Sequence, residues 1–166
     1  MAHGYHGKIL VVDLSNHRIQ IDQHDEQWYR TYMGGANFGM YNILKHMPPG
    51  ADALGADNVL TVMLSVLTGA PFSGQSRMTV NGKSPLTGAI GDSQAGGFFP
   101  AEMKNAGFDG VVFLGKAKRP VYLWLNNGQA ELRDASRLWG LGAWERLGSA
   151  PSGWRGFLSG SSGRCC

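Results

Sequence analysis

The sequence contains few of the residues from which disulfide, metal or cluster sites are built. Only 2 cysteines occur among its 166 residues, and Cys165 and Cys166 are adjacent at the end of the chain. They can pair with no other cysteine and cannot supply the four thiolates of an iron–sulfur cluster. The five histidines are dispersed, and no CxxC pair, HExxH motif or nucleophile elbow is present. The sequence therefore excludes a disulfide scaffold and contains no recognisable site of His or Cys metal ligands.

Charged side chains and long hydrophobic runs are also scarce. Only 16% of residues are charged, and residues 147–166 hold two arginines and no acid, so the net charge of +3 belongs largely to the end of the chain. No cluster of Lys and Arg interleaved with aromatic residues appears. The longest apolar run, residues 59–67, is too short to span a bilayer, and the N-terminus lacks a signal-peptide core. We expect a cytoplasmic protein with no nucleic-acid or membrane partner.

Glycine, by contrast, is abundant, and its distribution divides the chain. Ten of the 25 glycines lie between Gly69 and Gly115, where the backbone must turn tightly or approach something closely. After about Glu145, ten of the last twenty residues are Gly or Ser and no periodicity survives. We therefore predict one domain over 1–145 and interpret the tail over 146–166 as disordered, as a cloning remnant or as the frame-shifted end of an interrupted gene.

The remaining patterns predict an α+β fold that is predominantly β, with short inserted helices. Asp25 is a candidate N-cap for the first helix, and Asn127-Gly128 is a strong two-residue hairpin signal. Strands are predicted over residues 7–14, 17–22, 58–67, 77–82, 111–114, 121–125 and 130–133, and helices from residue 25 to Gly34-Gly35, over 37–46 and over 98–106. Residues 87–97 are predicted to form a loop.

The glycine-rich centre contains a candidate phosphate site. Arg77, Thr79 and Asn81 alternate with apolar residues, so one face of their strand offers a cation, a hydroxyl and an amide. The segment 91–97 precedes a helix, as at sites where backbone amides and the helix dipole bind an anion, and Lys83 could add a donor. The alternative, a solvated strand face followed by structural turn glycines, remains open.

The carboxylates of this region carry no assigned catalytic role. Glu102 is predicted on a helix surface and Asp109 in a turn, while Asp92 lies in the glycine-rich segment. No general acid or base is assigned from the sequence.

A series of short motifs indicates the protein's family more specifically than its composition does. The chain resembles the N-terminal domain of the aldehyde ferredoxin oxidoreductases from about residue 4 to residue 145. The resemblance is carried, in order, by GKILVVDLS (7–15), GG (34–35), LTG (67–69), SR (76–77), KSPLTG (83–88), GGF (96–98), KNAG (104–107), FDG (108–110), GKA (115–117), PVY (120–122), RDAS (133–136) and LWG (138–140).

This resemblance implies a fold, an activity and a set of cofactors. Enzymes of the family oxidise aldehydes to carboxylic acids and pass electrons to ferredoxin. They use tungsten, sometimes molybdenum, held by two pterins, together with a [4Fe-4S] cluster. The N-terminal domain is a base of two β-sheets that supports the pterins, so the fold expected here is the same. A homo-oligomer is compatible with the sequence.

Site residues follow from the matched positions. Arg77 is expected to neutralise a pterin phosphate, and Gly96 to let the backbone approach the pterin. Gln94 stands where many members have Asn and is expected to bind the phosphate-bridging Mg²⁺ through its backbone carbonyl. Lys83 is expected to be a further cofactor-binding residue.

The sequence departs from the family pattern in two respects. Ala36-Asn37 follows Gly34-Gly35 where members often have Arg, and the motifs that bind the cluster and the far side of the pterins are absent. Cluster ligands are therefore expected outside this chain, which we expect to be an inactive N-terminal fragment. A non-enzymatic β-rich binding or assembly module for a phosphate-bearing ligand is the alternative function, and a basic nucleic-acid binder is a third.

Overall fold

The computed structural model describes residues 4–142 and the backbone of Phe157–Ser159. The strands are β1 (Ile9–Asp13), β2 (Arg18–Asp22), β3 (Leu60–Leu64), β4 (Met78–Lys83), β5 (Ile90–Ala95), β6 (Gly110–Leu114), β7 (Val121–Asn126), β8 (Gln129–Asp134) and β9 (Phe157–Ser159). The helices are α1 (Glu26–Tyr32), α2 (Ala36–His46) and α3 (Phe98–Asn105), with a 3₁₀ turn at Ser136–Leu138.

These strands form two sheets, as expected for the predicted fold class. The larger sheet has the order β2-β1-β6-β3-β4-β5, and the smaller has the order β8-β7-β9. Within the larger sheet only the β1–β6 pair is parallel, and the other pairs are antiparallel. The prediction of a predominantly β, two-sheet α+β domain is confirmed.

The larger sheet is covered on both faces, because alternate residues of its central strands pack into different cores. Leu10 of β1 and Val62 of β3 pack with α3 and the second sheet, through Met103 and Leu123. The residues between them in the strands, such as Ile9 and Met63, pack instead with Tyr29, Phe38 and Ile43 of α1 and α2. Strand β6 is therefore buried along nearly its whole length.

Two local predictions are confirmed in detail. Asp25 caps α1, since its Oδ1 accepts a hydrogen bond from the Trp28 N–H at 2.8 Å. Asn127 and Gly128 both have positive φ angles, 45° and 79°, as a tight two-residue hairpin requires. They connect β7 to β8, and Asn126 pairs with Gln129 directly beside the turn.

The prediction of a loop over residues 87–97 was wrong, because most of that segment is strand β5. It pairs with β4 from Met78↔Ala95 to Lys83↔Ile90. Its sequence, IGDSQA, has low strand propensity and no alternation of buried residues. A free edge of β4 supplies the backbone hydrogen bonds that favour the extended form, and this tertiary contribution is invisible in the local pattern.

The polar strand face that was predicted to bind a phosphate is largely buried in the structure. Strand β4 begins after Arg77, and Thr79 and Asn81 are buried, 7% and 1% exposed. They lie beneath α2, where Gly39 leaves room for the Asn81 side chain and a Cβ would lie 2.8 Å from Thr61 Oγ1. The helix excludes ligand from this face, so Arg77 is the only member of the set that remains exposed.

The predicted tail, 146–166, lies outside the described residues except for β9, whose backbone pairs with β7. Over the described part of the chain, no helix is both long and apolar enough to cross a membrane.

Candidate phosphate-binding site

Arg77 lines an open cavity of about 620 Å³. Its side chain is exposed, and none of the hydrogen bonds or ion pairs among the described residues engages the guanidinium. The same cavity is lined by the loop residues before Arg77 and by Gly96, Gly97, Phe98 and Ala101. A planar cation with five free donors suits a phosphate or carboxylate ligand.

The N-terminus of α3 opens into the same cavity. Its N-cap is Gly97, with φ of 95° and no side-chain capping hydrogen bond. The helix therefore presents the positive end of its dipole beside Arg77 without a carboxylate or hydroxyl of its own in place. Only glycine adopts this backbone conformation readily, so the loop can turn into the helix with its amides facing the cavity.

A close contact within the fold also favours glycine at position 96. A Cβ there would lie 3.1 Å from the Ser76 carbonyl oxygen, and the Ser76 hydroxyl donates to the Gly97 carbonyl. The two walls of the cavity are thus joined directly at their base. Their close approach accounts for Gly96 whether or not a ligand is bound.

The other two predicted residues lie at different positions on the β4–β5 hairpin. Gln94 is exposed on β5 opposite Thr79, two positions before Gly96 of the cavity wall. Lys83 lies at the far end of β4, about 20 Å from Arg77 for a strand of this length. Its ammonium donates to the Ala51 carbonyl and its N–H to Asn58 Oδ1, so Lys83 anchors the 51–58 loop. The structure places Arg77 and Gly96 at one cavity, whereas Gln94 lies outside its lining and Lys83 lies at the other end of β4.

A buried ion pair behind this site was not predicted from the sequence. Asp109, 1% exposed, accepts hydrogen bonds from the Gly7 N–H at 2.7 Å and from the N–H groups of His6 and Lys8. Its other oxygen lies 2.7 Å from Lys104 Nζ. Asp109 lies in a bend directly before β6, where the sequence predicted a turn, and Lys104 lies only five positions before it. The N–H donors of residues 6–8, however, lie more than a hundred positions away in the sequence. No local spacing could have revealed them.

Burial affects the titration of Tyr5, which packs beside this pair. Burial raises the pKa of the Tyr5 hydroxyl, and the negative charge of Asp109 adds to the effect. The neutral hydroxyl donates to the Met33 carbonyl at 2.9 Å. Tyr5 thereby ties the N-terminal segment to the end of α1.

One large apolar side chain, Phe98, lines the cavity and is 78% exposed. Among the described residues no group of three or more His, Cys, Asp or Glu side chains could hold a metal ion. The cavity therefore offers a cation, a helix N-terminus and an apolar rim, which is the chemistry of an anion-binding wall.

Comparison with known proteins gives a consistent set of relatives. A family model described as "Aldehyde ferredoxin oxidoreductase, N-terminal domain" matches residues 9–148. A tungsten-containing aldehyde ferredoxin oxidoreductase of Pyrococcus horikoshii is 42% identical over 137 residues, which is 82% of this chain and 23% of that protein. The WOR-like subunit of an aliphatic sulfonate oxidoreductase of Pyrococcus furiosus is 34% identical over 146 residues, 86% of this chain and 23% of its own length.

A solved structure confirms the fold. The active-site complex BamBC of benzoyl coenzyme A reductase, bound to 1,5-dienoyl-CoA, superposes with a TM-score of 0.85 at 34% identity. The match covers 90% of this chain and 23% of that chain. The chain thus spans less than a quarter of the length of each of these relatives.

Proposed function

Because the chain belongs to the aldehyde ferredoxin oxidoreductase family as its N-terminal domain, we propose that it forms the wall of a tungsten–pterin oxidoreductase that binds the cofactor's phosphate groups. The observation that carries the proposal is the shared cavity, where the unpartnered Arg77 guanidinium and the N-terminus of α3 face one space. Both features favour a phosphate dianion, and neither has a competing acidic partner within the described residues.

The arrangement fits the phosphate end of a pterin cofactor. Arg77 can donate two parallel hydrogen bonds to one phosphate, and the helix N-terminus adds backbone donors and a favourable dipole. Strand β5 is the edge of the sheet, so alternate carbonyls of that strand lack a ladder partner. We propose that the backbone carbonyl of Gln94 would hold the Mg²⁺ ion that accompanies the cofactor.

The metal centre supplies the two-electron chemistry, and the residues of this chain bind and orient the cofactor. A bis-pterin site requires ligands from both sides, and this chain supplies one. We therefore propose that the chain alone is inactive, and that the [4Fe-4S] ligands and the ferredoxin contact belong to the part of the family's enzymes that it does not match.

The identity of the substrate is not determined by this domain. The relatives are named for an aldehyde, an aliphatic sulfonate and a benzoyl thioester, yet all three share it. A common phosphate-binding wall can serve different reactions because it contacts the cofactor and not the substrate. Aldehyde oxidation is the reaction we propose, on the ground that the family model and the relative with 42% identity carry that name.

Titration with pyrophosphate tests the proposed site. Arg77→Met is expected to weaken binding by roughly 10- to 100-fold, since a hydrogen-bonded charge contributes about 1.5–3 kcal/mol. Isothermal titration calorimetry measures the effect on the 166-residue chain.

Arg18→Met is the matched control for this titration. Arg18 is exposed on β2, at an edge of the larger sheet four strand positions from β4, which is about 19 Å by strand spacing. Arg18→Met makes the same change in net charge as Arg77→Met and is expected to leave pyrophosphate binding nearly unchanged. Equal losses in the two variants would mean that pyrophosphate responds only to overall charge.

A further inference from the structure

The loop of residues 65–77 connects β3 to β4 and carries Arg77 at its end. Two hydrogen bonds close the base of this loop. The Thr68 hydroxyl donates to the Arg77 carbonyl at 2.9 Å, and the Gly69 N–H donates to Gln75 Oε1 at 2.6 Å. Thr68 is only 3% exposed, although it lies in a loop. A buried hydroxyl thus fixes the backbone of the residue that bears the exposed guanidinium.

Every hydrogen-bonding position of that hydroxyl is used. Besides donating to Arg77, Thr68 Oγ1 accepts from the Ser65 N–H at 3.1 Å and lies 3.2 Å from Ser65 Oγ. A hydroxyl offers one donor and two acceptor positions, so this geometry makes Ser65 Oγ the donor. A fully satisfied buried hydroxyl has a defined orientation, and the direction of its bond to Arg77 is defined with it.

The same network continues to the buried ion pair. Lys104 Nζ lies 3.4 Å from the Ser65 carbonyl and 2.7 Å from Asp109 Oδ1. Lys104 is 7% exposed and Asp109 is 1% exposed. The contacts therefore run from Asp109 through Lys104, Ser65 and Thr68 to the Arg77 carbonyl, and each link is a side chain or backbone group with little freedom to move.

We propose that Thr68 is a positioning residue, which holds Arg77 at the rim of the cavity by anchoring its backbone to the Lys104–Asp109 pair. This inference rests on the proposed function, because the cavity must bind a phosphate for the position of Arg77 to matter. A long exposed arginine loses side-chain freedom when it binds. An immobile Cα limits that loss, since only the side chain remains to be ordered.

The test uses Thr68→Val, which removes the hydroxyl at nearly constant shape, and Thr68→Ser, which retains it. Thr68→Ala removes the hydroxyl without a second methyl, in case valine prevents folding. Thr61→Val is the matched control, because Thr61 is buried on β3 and its hydroxyl has no hydrogen-bond partner among the described residues. Two readouts are needed: amide hydrogen exchange, and pyrophosphate affinity by calorimetry.

Thr68→Val is expected to accelerate exchange at residues 69–77 about fivefold or more and to weaken pyrophosphate binding by a similar factor, as expected for one lost hydrogen bond. Exchange in β1 and β6 is expected to stay unchanged. Thr68→Ser is expected to restore both readouts, and Thr61→Val to change neither.

Four results overturn the inference. Exchange at residues 69–77 that does not change shows that Thr68 does not hold the loop. Exchange that rises equally in β1 and β6 shows a role in global stability only. Pyrophosphate binding that is lost in Arg77→Met and retained in Thr68→Val overturns the inference and leaves the proposed function intact, whereas a wild-type chain that binds no pyrophosphate overturns both.

Discussion

Replacing Asp109 by alanine is expected to lower the free energy of unfolding by about 3–5 kcal/mol, the usual effect of breaking a buried ion pair. In the unsubstituted chain the Lys104 ammonium lies 2.7 Å from the Asp109 carboxylate. The substitution leaves this ammonium buried without a counter-ion. It also leaves the N–H groups of residues 6–8 without their acceptor. The N-terminal segment is expected to detach first, since these hydrogen bonds join it to the start of β6. Urea denaturation measures the loss.

Two comparisons separate this effect from a general sensitivity to lost charge. Asp92→Ala removes a carboxylate from the exposed edge strand β5 and is expected to change stability by less than about 0.5 kcal/mol. Lys104→Met combined with Asp109→Ala is expected to cost less than the sum of the single changes, because the double variant contains no buried unpaired charge. Equal losses for Asp109→Ala and Asp92→Ala would contradict the buried-pair account.

Phe38→Ala is the second substitution with a large expected effect, about 3–5 kcal/mol of stability. Phe38 is fully buried on α2, and its ring centroid lies 4.6 Å from that of Trp28 and 5.5 Å from that of Tyr29. These contacts join α1, α2 and the larger sheet on one face. Their loss leaves a cavity between both helices and the sheet, and thermal denaturation followed by circular dichroism measures the result.

Phe98→Ala is the matched control for this experiment. It makes the same chemical change on α3, where Phe98 is 78% exposed, and is expected to cost less than about 1 kcal/mol. If Phe98→Ala were as destabilising as Phe38→Ala, the face carrying α1 and α2 would not be a principal core of the domain.

Patterns that depend on near neighbours in the chain were predictable. Asp25 caps a helix through the residue three positions on, and Asn127-Gly128 closes a hairpin between adjacent strands. Glu102 is exposed on α3, as its helical position indicated. In each case the stabilising contact and the sequence signal lie within a few residues of one another, so the signal carries most of the information.

Features that depend on distant partners were not predictable. Strand β5 forms because β4 offers an edge, and its own residues indicate a loop. Thr79 and Asn81 have the alternation of a solvated polar face, but α2 covers them because Gly39 permits a close approach. Lys83 is only six positions from Arg77 in the sequence, yet the two residues lie at opposite ends of β4. Distance along an extended strand separates residues that a motif-based interpretation groups together.

The candidate site shows the same division. The motif resemblance identified Arg77 and Gly96, and the structure places both at one cavity. The residues that fix Arg77 are Thr68, Ser65 and the Lys104–Asp109 pair. Thr68, Lys104 and Asp109 lie in the matched motifs LTG, KNAG and FDG, but those motifs do not indicate this role. Their roles depend on hydrogen bonds between segments that only the folded chain brings together.

Tungsten and pterin content tests the central claim most directly. Residues 9–148 of this chain would replace the matching segment of the Pyrococcus horikoshii relative, and the purified chimera would be analysed for metal and for pterin phosphate beside the parent enzyme. We predict two pterins per tungsten in the chimera and a marked loss of both when Arg77 is changed to Met. A folded chimera that contains neither tungsten nor pterin, while the parent contains both, would contradict the claim that this domain forms a cofactor-binding wall.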